Sequence, residues 1–478
     1  MRSRRQAAGR RRLAVAGVIV VGLIVAVALI TAPSKSAPPP LPLPGIGKPA
    51  KPGDPFAYVP SRESDFVARA IAGSDHVLFT KSPGGALATA ARVAGWRGPI
   101  DRAVAGTNID PDILEALVFV ESAGRPDVIV GSDPANASGL TQILASTGQS
   151  LLGMNINLAR SRQLTAKVDD AAATGRTGLA ARLERQRAKI DDRFDPRKAL
   201  AATVRYLKIA EQHFGRLDLA VESYHMGIGN LQNVLDDYDG GKPVPYAQLY
   251  FDTAPDHHPS AYSLISGFGD DSSLYYWRVL GAEQVMHLYR TDRSRLARLT
   301  SLQTDVDSNA YVLHPPQSVH LFATPDALDD AYARRSILPL PSNARALGLA
   351  YDPGIGSLAS QLKVKPALYR GLRGPAVDLL IELAARVRAL SGGLAPLTVT
   401  STVSDERYQG LVGFTDPPAA AGWSFTIARR YVKPAQAEAF QAMLDRLQAL
   451  NVIAWQRFPS EIEITVASDA SQVLVHGP

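Results

Sequence analysis

The sequence predicts a multi-domain chain with an N-terminal transmembrane helix, a mainly α domain and a C-terminal α+β domain. Three observations lead there. Residues 13–32 are an uncharged apolar run behind a cluster of arginines. From about Ala57 to Thr300 apolar residues recur at helical spacing. Beyond about residue 346, helical stretches alternate with short strand-like runs. A chain of 478 residues suits two or three domains, and 46% hydrophobic residues supply at least one sizeable core, which excludes global disorder.

Arg2, Arg4, Arg5, Arg10, Arg11 and Arg12 account for the whole net charge of +6, because the other 45 basic residues balance the 45 acidic ones. The basic character is therefore a property of residues 1–12, and no nucleic-acid partner is expected. The absence of cysteine excludes disulfides, thiolate metal sites and a cysteine nucleophile. The run Leu13 to Ala32 would span about 30 Å as a helix, the thickness of a bilayer's hydrocarbon core. Arginines stay on the cytoplasmic side, so the bulk of the chain is expected outside, with 13–32 as a single-pass anchor. A cleaved signal peptide is the rival reading. Its apolar region would be shorter, and Ser34–Ala37 offers a poor cleavage site. Residues 33–55 are too rich in proline to pack as helix or sheet and read as a stiff extended spacer.

Residues 56–300 read as the helical domain. Asp110 is a good helix N-cap, Pro111 suits the first turn, and Gly124 is a natural stop. Between them Leu114, Leu117, Val118 and Glu121 fall on one helix face. Glu121 thus ends an apolar stripe, where loss of hydration favours the protonated carboxyl that a general acid needs. Taken alone, a glutamate in the last turn of an amphipathic helix is usually a boundary residue.

Three segments alter that balance. Glu121-Ser122-Ala123 is followed by Ser138-Gly139-Leu140-Thr141-Gln142-Ile143, and later by Ala220-Val221-Glu222-Ser223-Tyr224-His225-Met226-Gly227-Ile228-Gly229-Asn230. In this order they resemble the soluble lytic transglycosylase family of lysozyme-like folds, and Tyr275 in Leu274–Leu280 matches that family's late tyrosine. The resemblance implies an extracytoplasmic enzyme of the bacterial cell membrane that cuts peptidoglycan glycan strands between N-acetylmuramic acid and N-acetylglucosamine. Glu121 would be the catalytic acid/base. Ser122, Ser138, Gly139, Gln142, Tyr224, His225, Gly227 and Tyr275 would bind substrate, with Gln142 hydrogen-bonding near the acid and Gly139 letting the backbone approach a sugar. No cofactor is implied. Ordinary glycosidases use two carboxylates. This family needs one, because the sugar's own 6-hydroxyl attacks the anomeric carbon and leaves a 1,6-anhydro end. Asp127, Asp133 and Glu222 are the candidates for a second carboxylate, which would make the enzyme a hydrolytic muramidase. A catalytically inactive peptidoglycan-binding scaffold is the other alternative.

The chain departs from the family at His225, where asparagine is usual, and at Thr141, where methionine is usual. An insertion at 154–193 contains a charged, solvated helix over Leu179 to Ile190; the insertion reads as an inert arm, with a flank of the saccharide groove as the alternative. Asp256-His257-His258, between Pro255 and Pro259, reads as a loop, and no metal is expected there.

Residues 301–345 lack sustained periodicity and read as a connector. In 346–478, helices are expected from Pro375 to Leu390 and Pro434 to Leu450, and strands at Leu397–Ser401, Trp423–Ala428, Val452–Trp455 and Glu461–Val466. Thr398-Val399-Thr400-Ser401, Arg407-Tyr408-Gln409, Gly422 to Ile427 and Glu461 to Ile464 resemble, more distantly, the zinc D-Ala-D-Ala peptidase fold. Aligned on Gly422, that family's histidine and aspartate ligands fall at Ala419 and Thr426, its later histidine at Glu463, and its arginine at Ser404. The resemblance therefore implies a degenerate unit without catalytic zinc, either a binding unit for stem peptides or envelope proteins or a purely structural appendage.

Overall fold

The structure is a computed structural model that describes residues 54–269, 272–306 and 308–474. Among these residues no helix is long and apolar enough to cross a membrane. The basic tail, the apolar run 13–32 and the spacer up to residue 53 lie outside the described residues. The spacer ends earlier than the sequence suggests. Pro55 is buried, and Asp54 accepts hydrogen bonds from Arg446 at 2.8 Å and Arg386 at 3.3 Å.

The helical body is built on α1 (Glu63–Ser74), α2 (Ala86–Ala94), α3 (Pro111–Ser122), α4 (Leu158–Ala173), α5 (Thr177–Ala188), α6 (Pro196–Phe214), α7 (Leu217–Met226), α8 (Ile228–Asp239) and α9 (Tyr275–Thr291). Helix α3 begins as expected, with the Asp110 side chain accepting from the Asp112 amide at 2.8 Å. Its end is set by two left-handed residues, Ala123 at φ 54° and Gly124 at φ 76°. A Cβ on Gly124 would lie 3.0 Å from the Val93 nitrogen, so this glycine also lets the turn press against α2. Leu114, Leu117 and Val118 have no exposure and bury the stripe against α9 and α2.

The C-terminal unit contains α10 (Pro325–Ala333), β1 (Leu349–Tyr351), α11 (Gly374–Leu390), β2 (Leu397–Ser401), β3 (Ser424–Ala428), α12 (Pro434–Ala449), β4 (Ile453–Arg457) and β5 (Glu461–Val466). The sheet order is β1-β2-β3-β5-β4, with β1 and β2 parallel and the other pairs antiparallel. The connector is more structured than its irregular pattern suggests. Thr324 caps α10 through the Ala327 amide, ahead of Pro325 in the first turn. His314 stacks on Trp423 with ring centroids 4.7 Å apart and contacts the Val466 carbonyl at 2.6 Å.

The two units share one continuous apolar core. At the seam, a Cβ on Gly73 of α1 would lie 2.4 Å from the carbonyl oxygen of Gln448 in α12. Arg446 donates to the carbonyls of Phe56 at 2.7 Å and Phe251 at 2.6 Å, and Arg386 donates to Asp256 at 2.6 and 2.5 Å. Burial of these guanidinium groups is tolerable because carboxylates and carbonyls receive their protons.

Candidate active site

Glu121 sits in the last turn of α3, where its side chain is half-buried. Burial pushes its pKa up to about 7, against the opposing hydrogen bond from the Tyr275 hydroxyl. The position at the negative end of the helix dipole works in the same direction as burial. At neutral pH both protonation states are therefore populated. Burial and Tyr275 account for the shift, with no contribution from another carboxylate among the described residues.

Three rings line up beside the acid. Tyr275, at the start of α9 and 3% exposed, donates to Glu121 Oε1. Tyr224 lies nearly parallel to it, with centroids 6.4 Å apart and planes 16° apart. The exposed His225 ring covers Tyr275 at 5.1 Å and contacts Ser272 through Nδ1 at 2.9 Å. Gly227, at φ 89°, ends α7 and starts α8, a backbone conformation that disfavours any side chain. The Tyr224 hydroxyl donates to the Thr141 carbonyl at 2.7 Å, so this tyrosine anchors the loop after α3.

That loop changes the expected role of several residues. Gln142 is 8% exposed at φ 50°, and its amide donates to the carbonyls of Val128 at 3.0 Å and Gly139 at 2.7 Å. Its nitrogen thus holds the loop closed, and its buried Oε1 accepts no hydrogen bond among the described residues. Gly139, at φ 82°, is pressed against protein, since a Cβ there would lie 1.9 Å from the Arg193 carbonyl oxygen. The close approach here is to the chain's own backbone. Ser122 and Ser138 are 2% and 1% exposed, and their hydroxyls return to the carbonyls of Val118 at 3.3 Å and Asn136 at 2.9 Å. Both hydroxyls support the helix and the loop in this geometry.

The insertion proves to be a clamp on this loop rather than a detached arm. Helices α4 and α5 pack on each other. Beyond α5 the fully buried Arg193 donates to Asp191 at 2.9 and 2.7 Å and to the carbonyls of Asn136 at 3.0 Å and Ile143 at 3.2 Å. Ser161 of α4 completes Asp191 at 2.7 Å. Arg162 grips Asp133 through two bonds of 2.8 and 2.9 Å. Arg193 and Asp191 were not recognisable as supports in the sequence, where they merge with the charged run of the insertion.

The three candidate second carboxylates are differently placed. Arg162 holds Asp133 below the usual carboxylate range. Asp127 is exposed. Glu222 has no exposure and accepts from the Tyr276 amide at 2.9 Å, and burial pushes it up to about 8. Inward-facing Glu222 braces α7 against α9.

With this geometry in hand, residues 98–243 match the family model of the transglycosylase SLT domain, which covers α3 through α8 and under a third of the chain. No curated protein matches the chain. The matched segment is thus similar to a domain whose family members are lytic transglycosylases acting on peptidoglycan.

Proposed function

We propose that this protein is a peptidoglycan lytic transglycosylase in which Glu121 works as the lone acid and base. The carrying observation is a carboxyl held near neutrality by burial, bonded to Tyr275 and without carboxylate influence from its neighbours. Protonated Glu121 gives its proton to the glycosidic oxygen between N-acetylmuramic acid and N-acetylglucosamine as that bond breaks. The N-acetyl group of the muramic residue supports the electron-poor anomeric carbon. Glu121, now a carboxylate, takes the proton of the 6-hydroxyl as its oxygen attacks that carbon. A 1,6-anhydro ring forms, no water is consumed, and the acid is restored. Tyr275 steadies the carboxylate between the two transfers by its hydrogen bond. His225 is the exposed member of the ring stack and the one that meets the sugar.

The apolar run 13–32 anchors the enzyme to the cell membrane in this reading, with the N-terminus cytoplasmic and the catalytic domain outside. The C-terminal unit is a degenerate peptidase-like fold that binds stem peptides or envelope proteins. In support, the expected zinc-ligand positions hold a buried Ala419, Thr426 and Glu463, and Ala419 offers no metal donor.

The full-length chain, incubated with purified peptidoglycan and followed by mass spectrometry, tests the proposal. Anhydro-muropeptides that disappear with Glu121→Gln are the expected result. Reducing-end products would establish a hydrolase instead. Binding without any release would establish an envelope scaffold.

A further inference from the structure

We propose that Asp252, His257 and His258 form a binding site for one zinc-class divalent ion, which stiffens the seam between the helical body and the C-terminal unit. The sequence shows only the adjacent histidines, whose side chains diverge in a regular element. The structure supplies what the sequence lacks, a turn that returns them to Asp252.

One donor atom from each of the three residues lies within 4.8 Å of the others. His258 Nε2 is 3.9 Å from an Asp252 carboxylate oxygen. Donors about 2.0–2.1 Å from a tetrahedral zinc are roughly 3.3–3.5 Å apart, so side-chain adjustments of about an ångström close the site. The backbone is already bent for it. His258 adopts φ 52°, a left-handed conformation that costs a histidine energy, and Ala254 and His257 exchange backbone hydrogen bonds of 2.8 and 3.0 Å.

The surroundings also resemble the support found behind metal ligands. Tyr238 donates to Asp252 Oδ2 at 2.7 Å, and Gln248 donates to the Tyr238 hydroxyl at 3.0 Å. His257 Nδ1 lies 2.7 Å from the Asp252 carbonyl oxygen. A proton on Nδ1 makes that bond and leaves the lone pair of Nε2 for an ion, the arrangement common for ligating imidazoles. Asp252 and His258 are half-buried and His257 is exposed, so an ion can enter and keep water in its remaining position. Two imidazoles with one carboxylate favour zinc over magnesium or calcium, which take oxygen-rich sets.

The position gives the ion its consequence. Asp256, inside the same turn, is held by Arg386. Thr253, Ala254 and Pro255 form part of the wall of a cavity of about 370 Å³ that Met443 and Arg446 of α12 also line. An ion that fixes the turn fixes that part of the wall.

The test uses the full-length chain after chelator treatment, titrated calorimetrically with ZnCl₂ and, in parallel, MgCl₂. One zinc per chain, little response to magnesium and a higher thermal midpoint with zinc are expected. His257→Ala and His258→Asn should each weaken zinc binding at least tenfold and remove the midpoint rise. Asparagine tolerates the left-handed backbone, so the second variant keeps the turn. Circular dichroism and peptidoglycan cleavage without zinc should match wild type in both. Zinc binding unchanged in these variants, or no binding at millimolar ZnCl₂, would overturn the site. Binding with no midpoint rise would overturn its role at the seam.

Discussion

Glu121 and Glu222 lie on two helices that both pack on α9, and burial raises both carboxyls, to about 7 and about 8. They differ in access and in partner. Glu121 is partly exposed and bonded by a phenol from the start of α9. Glu222 is sealed and accepts a backbone amide of the same helix. A raised pKa therefore selects neither residue as the acid. A proton donor must also reach its substrate, and only Glu121 retains that access.

The largest expected effect comes from removing the accessible carboxyl. Glu121→Gln should lower anhydro-product formation by about 10²–10⁴-fold or more, the scale of losing a general acid. It should also show that the site is held at a cost. Native Glu121 binds its proton more tightly than the unfolded chain, so its contribution to stability falls as pH rises from 4.5 towards about 7. Denaturant titrations at pH 8 should find the glutamine variant more stable than wild type by about 1–3 kcal/mol. Loss of stability with the fold intact would sink the claim that desolvation dominates at Glu121.

Next in size is Tyr275→Phe. The lost hydrogen bond had lowered the pKa of Glu121, so the acid should titrate higher. Turnover should drop about tenfold, while the limb where activity falls with rising pH, near pH 7 in wild type, moves upward. A drop in rate with an unmoved limb would mean that Tyr275 only shapes the site.

How much of this contrast was legible beforehand follows from the physics of each signal. The acid helix was readable because its cap, its apolar spacing and Glu121 are local features of Asp110–Gly124. Strands β2 and β5 were readable for the same reason, being short β-rich runs bounded by turns. The support of the loop was not. Gly139 meets Arg193 and Gln142 meets Val128 only after the chain has folded back. Motif spacing marks such residues as important without saying whether they face a ligand or the protein. The turn at Asp252 was missed because its first donor lies five residues before the histidine pair and only the left-handed His258 brings them together.

Glu222→Gln refines the comparison from the other side. An amide of equal shape can still accept from Tyr276, and it replaces a carboxyl that is largely protonated at pH 7. Activity should stay within about threefold of wild type, and stability at pH 7 within about 1 kcal/mol. Above pH 8 the variant should become the more stable protein, because wild type must then ionise a group with no exposure. A collapse of activity with retained folding would move Glu222 into the chemistry.

The smallest effect is expected at Asp133, the third carboxylate of the comparison. Arg162 holds it ionised in an exposed pair, so it differs from Glu121 in both access to water and charge. Exposed pairs contribute little to stability, and Asp133→Asn should fold as wild type does. If Glu121 acts alone, this variant still forms anhydro products at a rate within about threefold of wild type, because the loop remains clamped by buried Arg193. Were Asp133 a base that activates water, the asparagine variant would lose reducing-end products selectively. The product ratio of this one variant therefore separates a lone-acid mechanism from a two-carboxylate one.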